Sequence, residues 1–238
     1  MLNKFNFYTV AQGADFFEAA LKSAESFVKH NQGIKYTIFL IGPLPNGLAI
    51  KVSDGIKIEL IDKDDCSFFS DRVLAKKPYA DISLFKCAVA PKYLDDRDYI
   101  CFLDVDTICN KPLDIKYFKD QLDNGCLCVA ADSKAAQRKS EIDAPFSLYF
   151  NSGVMFYNSS TSDLITDKFL NWILDNEKLI LDTPWNDQTW LNIYFNTQAP
   201  QLLYGIGNYF NNRGRVNDKE AYIWHYGRKY MQEILNEN

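Results

Sequence analysis

Long apolar runs are missing from this sequence, and no window contains the roughly 18 apolar residues that a membrane-spanning helix needs. The opening segment MLNKFNFYTV is too polar, and its apolar stretch is too short, for a signal peptide. We therefore expect a soluble, cytoplasmic protein with no transmembrane segment, unless the sequence is one domain of a longer chain.

Dense runs of lysine and arginine are missing as well, and the formal net charge is −5. Nonspecific binding to nucleic acid depends on a basic surface, so we expect no nucleic-acid partner. Phosphorylated small molecules are compatible with this charge, because a few local cations or one metal ion are enough to hold them.

No two cysteines have the CxxC spacing, although the chain has six cysteines. Cys126 and Cys128 in CLCVAA are close enough to share a zinc ion, but this segment has the composition of a strand, so a zinc site is the weaker interpretation. Several cysteines lie inside apolar runs, and we predict reduced, mostly buried thiols.

Hydrophobic residues are plentiful, at 47% of 238, and can form a substantial core. Periodicity predicts strands at 5–10, 35–41 and 56–61, helices at 15–30 and 78–90, and a strand that ends at Asp104. This alternation predicts an α/β fold of Rossmann-like type, with a mostly parallel sheet and helices on both faces.

The second half of the chain is less regular. Strands are predicted at 126–131, around Gly153 and in AYIWHYG, and helices at 164–175 and 187–195. We find no repeat, low-complexity tract or flexible linker, so the sequence predicts a single domain over 1–238. We expect the second part of the chain to extend the sheet of the first part, with a smaller antiparallel portion near the C-terminus.

Two carboxylates end a buried segment in YICFLDVDTICNKPLD. Asp104 and Asp106 are two residues apart, so in a strand they point to the same face and repel each other. A divalent cation between them, a catalytic aspartate pair and a pair of solvated turn residues all explain the pattern. Because ligands bind beyond the carboxyl ends of parallel strands, the position favours a functional role.

One functional interpretation is a phosphatase. FLDVDTI resembles the first motif of the haloacid dehalogenase family, in which the first aspartate, here Asp104, attacks phosphate. That family needs a later aspartate pair after a strand, whereas Asp163 and Asp167 lie in a predicted helix. Its first motif also usually ends the first strand rather than the fourth.

The order of several motifs resembles glycosyltransferase family 8. ISLFKCAVAPKYLDDRDYICFLDVDTIC resembles the helix with a basic residue and the YLDxD strand of that family. VAADSK, YFNSGVMFYN, WNDQTWLN and YIWHYGRK resemble four further motifs in the same order. The resemblance covers about 5–230 and is carried by five motifs together.

This resemblance implies a GT-A fold, with about 1–106 as the nucleotide-binding half and about 107–238 as the acceptor and donor-sugar half. It implies transfer of a hexose from a nucleotide-sugar, most simply a UDP-sugar, to a glycan or lipid-linked acceptor, with retention of anomeric configuration. It also implies Mn²⁺ or Mg²⁺ held by Asp104, Asp106 and His225. An imidazole ligand favours Mn²⁺ over Mg²⁺.

The resemblance implies donor-site roles for residues spread along the chain. Asp187 and Gln188 would be catalytic, beneath the anomeric carbon, and Asp132 and Asn151 would hold sugar hydroxyls. The other donor-binding residues that it implies are Thr9, Val10, Ala11, Lys86, Asp104, Val105, Gly227, Arg228 and Lys229.

The segment after His225 departs from the family pattern, because its glycine comes one residue early and the Pro-Trp pair is missing. Arg213, Arg215 or Arg228 are therefore alternatives to Lys229 as the phosphate ligand.

Other interpretations stay open for the individual residues and for the whole chain. His225 also fits a core histidine that bonds to backbone, Asp132 a turn cap and Asp187 a helix start. The chain as a whole also fits a catalytically silent sugar-nucleotide-binding module or, with its fourteen tyrosines, a self-glycosylating primer.

Overall fold

The computed structural model describes residues 2–45, 52–95, 98–133, 146–213 and 218–227. Within these ranges the strands are β1 (Phe5–Gln12), β2 (Lys35–Ile41), β3 (Ile56–Ile61), β4 (Tyr99–Leu103), β5 (Thr107–Cys109), β6 (Leu127–Ala131), β7 (Phe150–Asn158), β8 (Leu203–Ile206), β9 (Asn212–Arg213) and β10 (Ile223–His225). The α-helices are α1 (Ala14–His30), α2 (Asp71–Lys76), α3 (Ala80–Leu84), α4 (Lys119–Asp123), α5 (Ser159–Asp163), α6 (Leu170–Leu174), α7 (Glu177–Asp182) and α8 (Asp187–Gln198).

The main sheet has seven strands in the order β3-β2-β1-β4-β7-β6-β8. β1 pairs in parallel with β2 and β4, β2 with β3, and β6 with β8. β7 runs antiparallel to both of its neighbours, β4 and β6. The predicted α/β fold with a mostly parallel sheet is confirmed, and strands from both parts of the chain share that sheet.

Apolar side chains cover both faces of the sheet, because successive residues of a strand point to opposite faces. On one face Phe5 and Phe7 pack with Phe17 and Phe27 of α1. On the other face Tyr8 belongs to a second buried cluster that includes residues of α3 and α8. β1 is buried along nearly its whole length, as is typical of a parallel strand covered on both sides.

A second, small sheet has the order β5-β10-β9. β10 is antiparallel to β5, with His225 opposite Thr107, and parallel to β9, with His225 beside Arg213. The antiparallel pair is the smaller portion that the sequence predicts, and the short parallel partner β9 was not predicted. This sheet brings the last described strand next to the segment that follows β4.

Two predicted helices are less regular than expected. The predicted helix 78–90 is α3 followed by a π-helical turn at Phe85–Val89 and a 3₁₀ turn at Ala90–Tyr93. The predicted helix 164–175 begins as a π-helical turn at Leu164–Phe169 and continues as α6. Such turns are frequent at functional sites, and Lys86 lies in the first of them.

The predictions from composition can also be compared with the structure. All six cysteines are free and buried, which confirms the prediction of reduced, buried thiols. In the part of the chain that the structure describes, no helix combines the length and apolar character that crossing a membrane requires.

Candidate active site

Polar side chains collect at the sheet edge where β4 and β6 end. Asp104 follows β4 and Asp132 follows β6, and these strands run in the same direction because β7 lies antiparallel between them. β7 therefore begins at this edge, and the backbone N–H of Asp104 donates to the carbonyl of Gly153 at 2.8 Å. A cavity of about 710 Å³, here the central cavity, opens here. Ten of the residues named from the sequence line it: Lys86, Asp104, Asp106, Asp132, Asn151, Asp187, Gln188, Arg213, His225 and Gly227.

Asp104, Asp106 and His225 lie together in this cavity. Thr107 closes the turn after β4 by donating from its backbone N–H and its hydroxyl to the carbonyl of Asp104, at 3.2 and 2.8 Å. The pairing of β5 with β10 then places His225 Nε2 3.2 Å from Asp106 Oδ1 and 3.8 Å from Asp104 Oδ2. One ligand atom from each residue lies within 4.8 Å of the others, so the group could hold a metal ion.

The lowered pKa of Asp106 suits a metal ligand, which must be ionised. Burial by itself would raise the pKa of Asp106, but the charge of His225 and the hydrogen bond from its ring outweigh burial, so the pKa lies below its ordinary value. Asp106 and His225 are both buried. The group thus offers carboxylate oxygens and an imidazole nitrogen, a donor set that suits Mn²⁺.

A chain of side-chain amides fixes the ring of His225. The backbone N–H of Gly153 donates to Asn151 Oδ1 at 3.0 Å, and Asn211 Nδ2 donates to the same oxygen at 2.9 Å. Asn211 Oδ1 therefore faces His225 Nδ1, at 2.9 Å. An amide oxygen can only accept, so Nδ1 donates, and Nε2 is the nitrogen that faces the two carboxylates.

The same chain continues in the other direction to Asp132. Asn151 Nδ2 donates to Gln188 Oε1 at 2.8 Å, and Gln188 Nε2 donates to Asp132 Oδ2 at 2.9 Å. Arg213 Nη1 lies 3.5 Å from the same carboxylate oxygen. The direction of the amides is fixed at both ends, because a backbone N–H can only donate and a carboxylate can only accept.

Lys86 joins two acidic residues on the other side of the cavity. Its Nζ lies 2.9 Å from Asp104 Oδ1 and 3.0 Å from Asp187 Oδ2, and Ser152 Oγ donates to Asp187 Oδ2 at 2.7 Å. Burial alone would lower the pKa of Lys86, but the charges of Asp104 and Asp187 outweigh burial and raise it. Lys86 therefore stays positively charged at the centre of the site.

Gly153 permits this close arrangement. A Cβ on residue 153 would lie 2.2 Å from His225 Cε1 and 2.8 Å from Asp104 Oδ2. Both distances are far below van der Waals contact, so no residue with a side chain fits while His225 keeps its position.

Among the residues that the structure describes, the remaining predicted donor-binding residues do not line the central cavity. Val10 and Val105 line a smaller neighbouring cavity of about 150 Å³, together with Lys86 and Asp104. Thr9 and Ala11 lie inside β1 rather than at its end, and their side chains are buried in the core. Arg215, Arg228 and Lys229 lie outside the described residues.

Sequence reasoning missed three polar contacts of this site. Ser152 contacts Asp187, Tyr149 accepts a hydrogen bond from Gln188 Nε2 at 3.3 Å, and Asn211 holds His225. Ser152 and Tyr149 stand in or beside YFNSGVMFYN, so a closer examination of that motif could have found them. No local pattern in YFNNRGR marks Asn211.

The match to a family model decides the family. Residues 9–230 match the model of glycosyl transferase family 8. The chain belongs to glycosyl transferase family 8. Its membership identifies it as a glycosyltransferase, and no curated protein matches it in sequence.

Solved structures of glycosyltransferases have the same fold. An active-site mutant of LgtC matches with a TM-score of 0.63 and 16% sequence identity, over 97% of this chain and 95% of LgtC. The galactosyltransferase LgtC in complex with donor and acceptor sugar analogs gives 0.62 and 16%, over 96% and 94%. Mouse xyloside xylosyltransferase 1, in its apo form, gives 0.57 and 13%, over 94% and 98%. These likenesses support the GT-A fold.

Family 8 membership decides against the phosphatase interpretation. The described structure agrees, because β4 is the fourth strand along the chain, and Asp163 and Asp167 lie in α5 and the π-helical turn after it. The later strand-end aspartate pair of that phosphatase family is therefore not formed by these two residues.

We predict that Gly153→Ala weakens Mn²⁺ binding by about tenfold or more, because the added methyl group displaces the His225 ring. Isothermal titration with Mn²⁺ measures the affinity, and thermal unfolding measures the cost of overpacking, about 1–3 kcal/mol. Gly205→Ala is the matched control, since its nearest contact would be an ordinary 3.6 Å. Unchanged Mn²⁺ affinity in Gly153→Ala would contradict the inference that a side chain at residue 153 displaces the His225 ring.

Proposed function

We propose that this glycosyltransferase moves a hexose from a UDP-sugar to a glycan or lipid-linked acceptor, with Mn²⁺ or Mg²⁺ as cofactor and with retention. The observation that carries the proposal is the meeting of Asp104, Asp106 and His225 in the central cavity. The other donor-site residues that line this cavity surround the same space.

Asp104, Asp106 and His225 are the proposed metal ligands. They would hold a divalent ion, which would supply Lewis-acid chemistry that neutralises charge on the leaving diphosphate. The chain prepares the ligands before the ion arrives: Asp106 stays ionised, and Asn211 orients the ring so that its Nε2 faces the carboxylates. Gly153 leaves the room that this grouping needs.

The proposed donor sugar lies between the metal ligands and the amide chain. Asp132 and Asn151 offer hydrogen bonds to sugar hydroxyls, and Gln188 connects these two residues. Lys86 supplies a partly buried positive charge to the diphosphate or the sugar, as a point charge rather than a bidentate fork. The small cavity beside Val10 and Val105 is the proposed position of the nucleoside.

The retaining route is supported by what the carboxylates already contact. An inverting enzyme needs a base that accepts the proton of the acceptor hydroxyl. Asp187 Oδ2 is engaged by Lys86 and Ser152, and Asp132 Oδ2 by Gln188 and Arg213. Gln188 is a neutral amide and a poor nucleophile. We therefore propose same-face attack, in which the acceptor oxygen bonds to the anomeric carbon, the bond to the diphosphate breaks, and a leaving phosphate oxygen takes the proton. A covalent intermediate on Asp187 is the alternative.

Asp104→Asn and Asp106→Asn should each lower the transfer rate by roughly 10²-fold or more, because losing about 3 kcal/mol of charge stabilisation corresponds to that factor. Transfer from a radiolabelled UDP-hexose measures the rate, and circular dichroism checks the fold. Asp167→Asn is the control, since that carboxylate pairs with Lys92 at the surface. Full wild-type transfer in excess chelator, with no bound metal left, would exclude the metal from the proposal. Donor binding without any transfer would instead indicate a silent binding module.

We expect UDP to bind more tightly than GDP or CDP when Mn²⁺ is present. Calorimetric titration of the three diphosphates compares their affinities directly. Tighter binding of GDP would show that the proposed nucleotide is wrong while leaving the metal site untouched.

An α-linked donor should give an α-linked product. Proton NMR of the product formed first reports the configuration at the anomeric carbon before any equilibration. A β-linked product would mean inversion, and Asp132 or Asp187 would then be the base to test next.

A further inference from the structure

A second cavity, of about 460 Å³, lies at the β8 edge of the main sheet. Its walls are formed by β8, by the 3₁₀ turns Lys116–Phe118 and Asn208–Phe210, and by residues near 220–222. Its size is in the range of small-molecule sites, roughly 300–1,000 Å³. We call it the tyrosine cavity, because four tyrosines line it: Tyr117, Tyr204, Tyr209 and Tyr222.

Two of these rings are open to solvent, and one is held firmly. Tyr117 is 76% exposed and Tyr209 is 53% exposed, although both are large aromatic residues. Tyr222 is stacked on Phe210, with ring centroids 4.7 Å apart and an interplanar angle of 12°. Such rings offer flat apolar faces beside polar hydroxyl tips, which suits a ligand that alternates apolar faces with hydroxyl groups.

Charged groups at the same cavity favour a polar ligand over a lipid chain. Lys111 Nζ lies 4.5 Å from the centre of the Tyr222 ring and 3.8 Å from Glu220 Oε2. A hydrocarbon chain in the cavity would remove water from these groups without replacing its hydrogen bonds. Sugar hydroxyls both donate and accept, so they can replace that water.

A polar cavity of about 530 Å³ adjoins both the tyrosine cavity and the central cavity. It shares Asp132, Asn151 and Arg213 with the central cavity, and Tyr209 with the tyrosine cavity. Most of its other side chains are amides or carboxylates: Asn208, Asn211, Asn212 and Asp218. The three adjoining cavities therefore follow one another from the proposed donor-sugar residues, past hydrogen-bonding side chains, to exposed aromatic rings.

From this continuity we infer that the tyrosine cavity binds a sugar unit of the acceptor glycan, away from the hydroxyl that receives the hexose. The inference rests on the proposed function, and it narrows the acceptor to a saccharide of more than one unit. Tyr117 and Tyr209 would stack on the apolar faces of that unit, while Lys111 and Glu220 bond to its hydroxyls.

The test uses the full chain, with UDP and Mn²⁺ present, on an array of mono- to hexasaccharides of glucose, galactose, mannose and N-acetylglucosamine. We expect binding to at least one series of two or more units. The double variant Tyr117→Ala/Tyr209→Ala should bind that series about tenfold more weakly or worse. The corresponding double change to Phe should retain most of the affinity, since it keeps both rings. Calorimetry with the best oligosaccharide gives the fold-change.

Two controls separate this inference from the proposed function. Leu60→Ala removes an apolar side chain on β3 that is about as exposed as Tyr209 and lies at the opposite edge of the sheet, and this variant should bind like the wild type. Titration of UDP with Mn²⁺ should give the same affinity in every variant. If the wild type binds no UDP, the proposed function fails.

If UDP binds normally, three outcomes overturn the tyrosine-cavity inference alone. The first is no binding to any saccharide on the array. The second is equal saccharide binding by the wild type and the double Ala variant. The third is a preference for phosphatidylcholine vesicles carrying a polyprenyl phosphate, lost in the double Ala variant, with no saccharide binding.

Discussion

Two carboxylates side by side at the end of a buried strand repel each other, and the surrounding structure compensates for that repulsion. Lys86 contacts Asp104 from a π-helical turn on one side, and His225 contacts Asp106 from the small sheet on the other. Asp106 is buried and Asp104 is partly buried, and the compensation is needed because a low dielectric strengthens the repulsion and leaves less water to screen it. Lys86 and His225 thus hold in place a negative pair that is suited to a divalent ion.

The order and direction of the sheet strands bring the polar residues of the site together. β7 is antiparallel between β4 and β6, so it begins where they end, and its first residues reach both Asp104 and Asp132. The amide chain then connects the imidazole with the Asp132 carboxylate through Asn211, Asn151 and Gln188. A change in any of these three amides would affect the proposed metal ligands and the proposed sugar contacts together, because each amide fixes the orientation of the next.

Local pattern predicted the strands well, because their signal is contained within a few residues. The strands at 35–41 and 56–61 have the same bounds in the structure. The strand before Asp104 ends one residue earlier than predicted, at Leu103, so the turn closed by Thr107, and not the strand period, brings the Asp104 and Asp106 carboxylates together. The helix 78–90 was predicted as regular because periodicity does not distinguish an α-helical turn from a π-helical one.

Local sequence patterns could not predict the contacts between residues that are far apart in the chain. Asn211 contacts His225, and no local pattern marks Asn211. Ser152 lies in a motif that could have drawn attention to it, but the motif does not identify Asp187 as its partner. The positions of Thr9 and Ala11 inside β1 depend on how far β1 extends beside β2, which their own residue types do not determine. The family resemblance supplied His225, since an isolated histidine near the end of a chain has several other roles.

The six cysteine thiols are protected from oxidation in the folded chain and become reactive when the chain unfolds. Burial raises the pKa of the Cys66 and Cys109 thiols to about 12 and also raises the pKa of Cys87, Cys101, Cys126 and Cys128. The thiolate is the species that reacts with oxidants and disulfides, so the native protein is protected at neutral pH. An unfolded chain exposes six ordinary thiols at once, and a disulfide between two cysteines that are distant in the native core would join segments that the native fold keeps apart. Oxidation during unfolding would therefore convert a reversible transition into an irreversible loss of the enzyme.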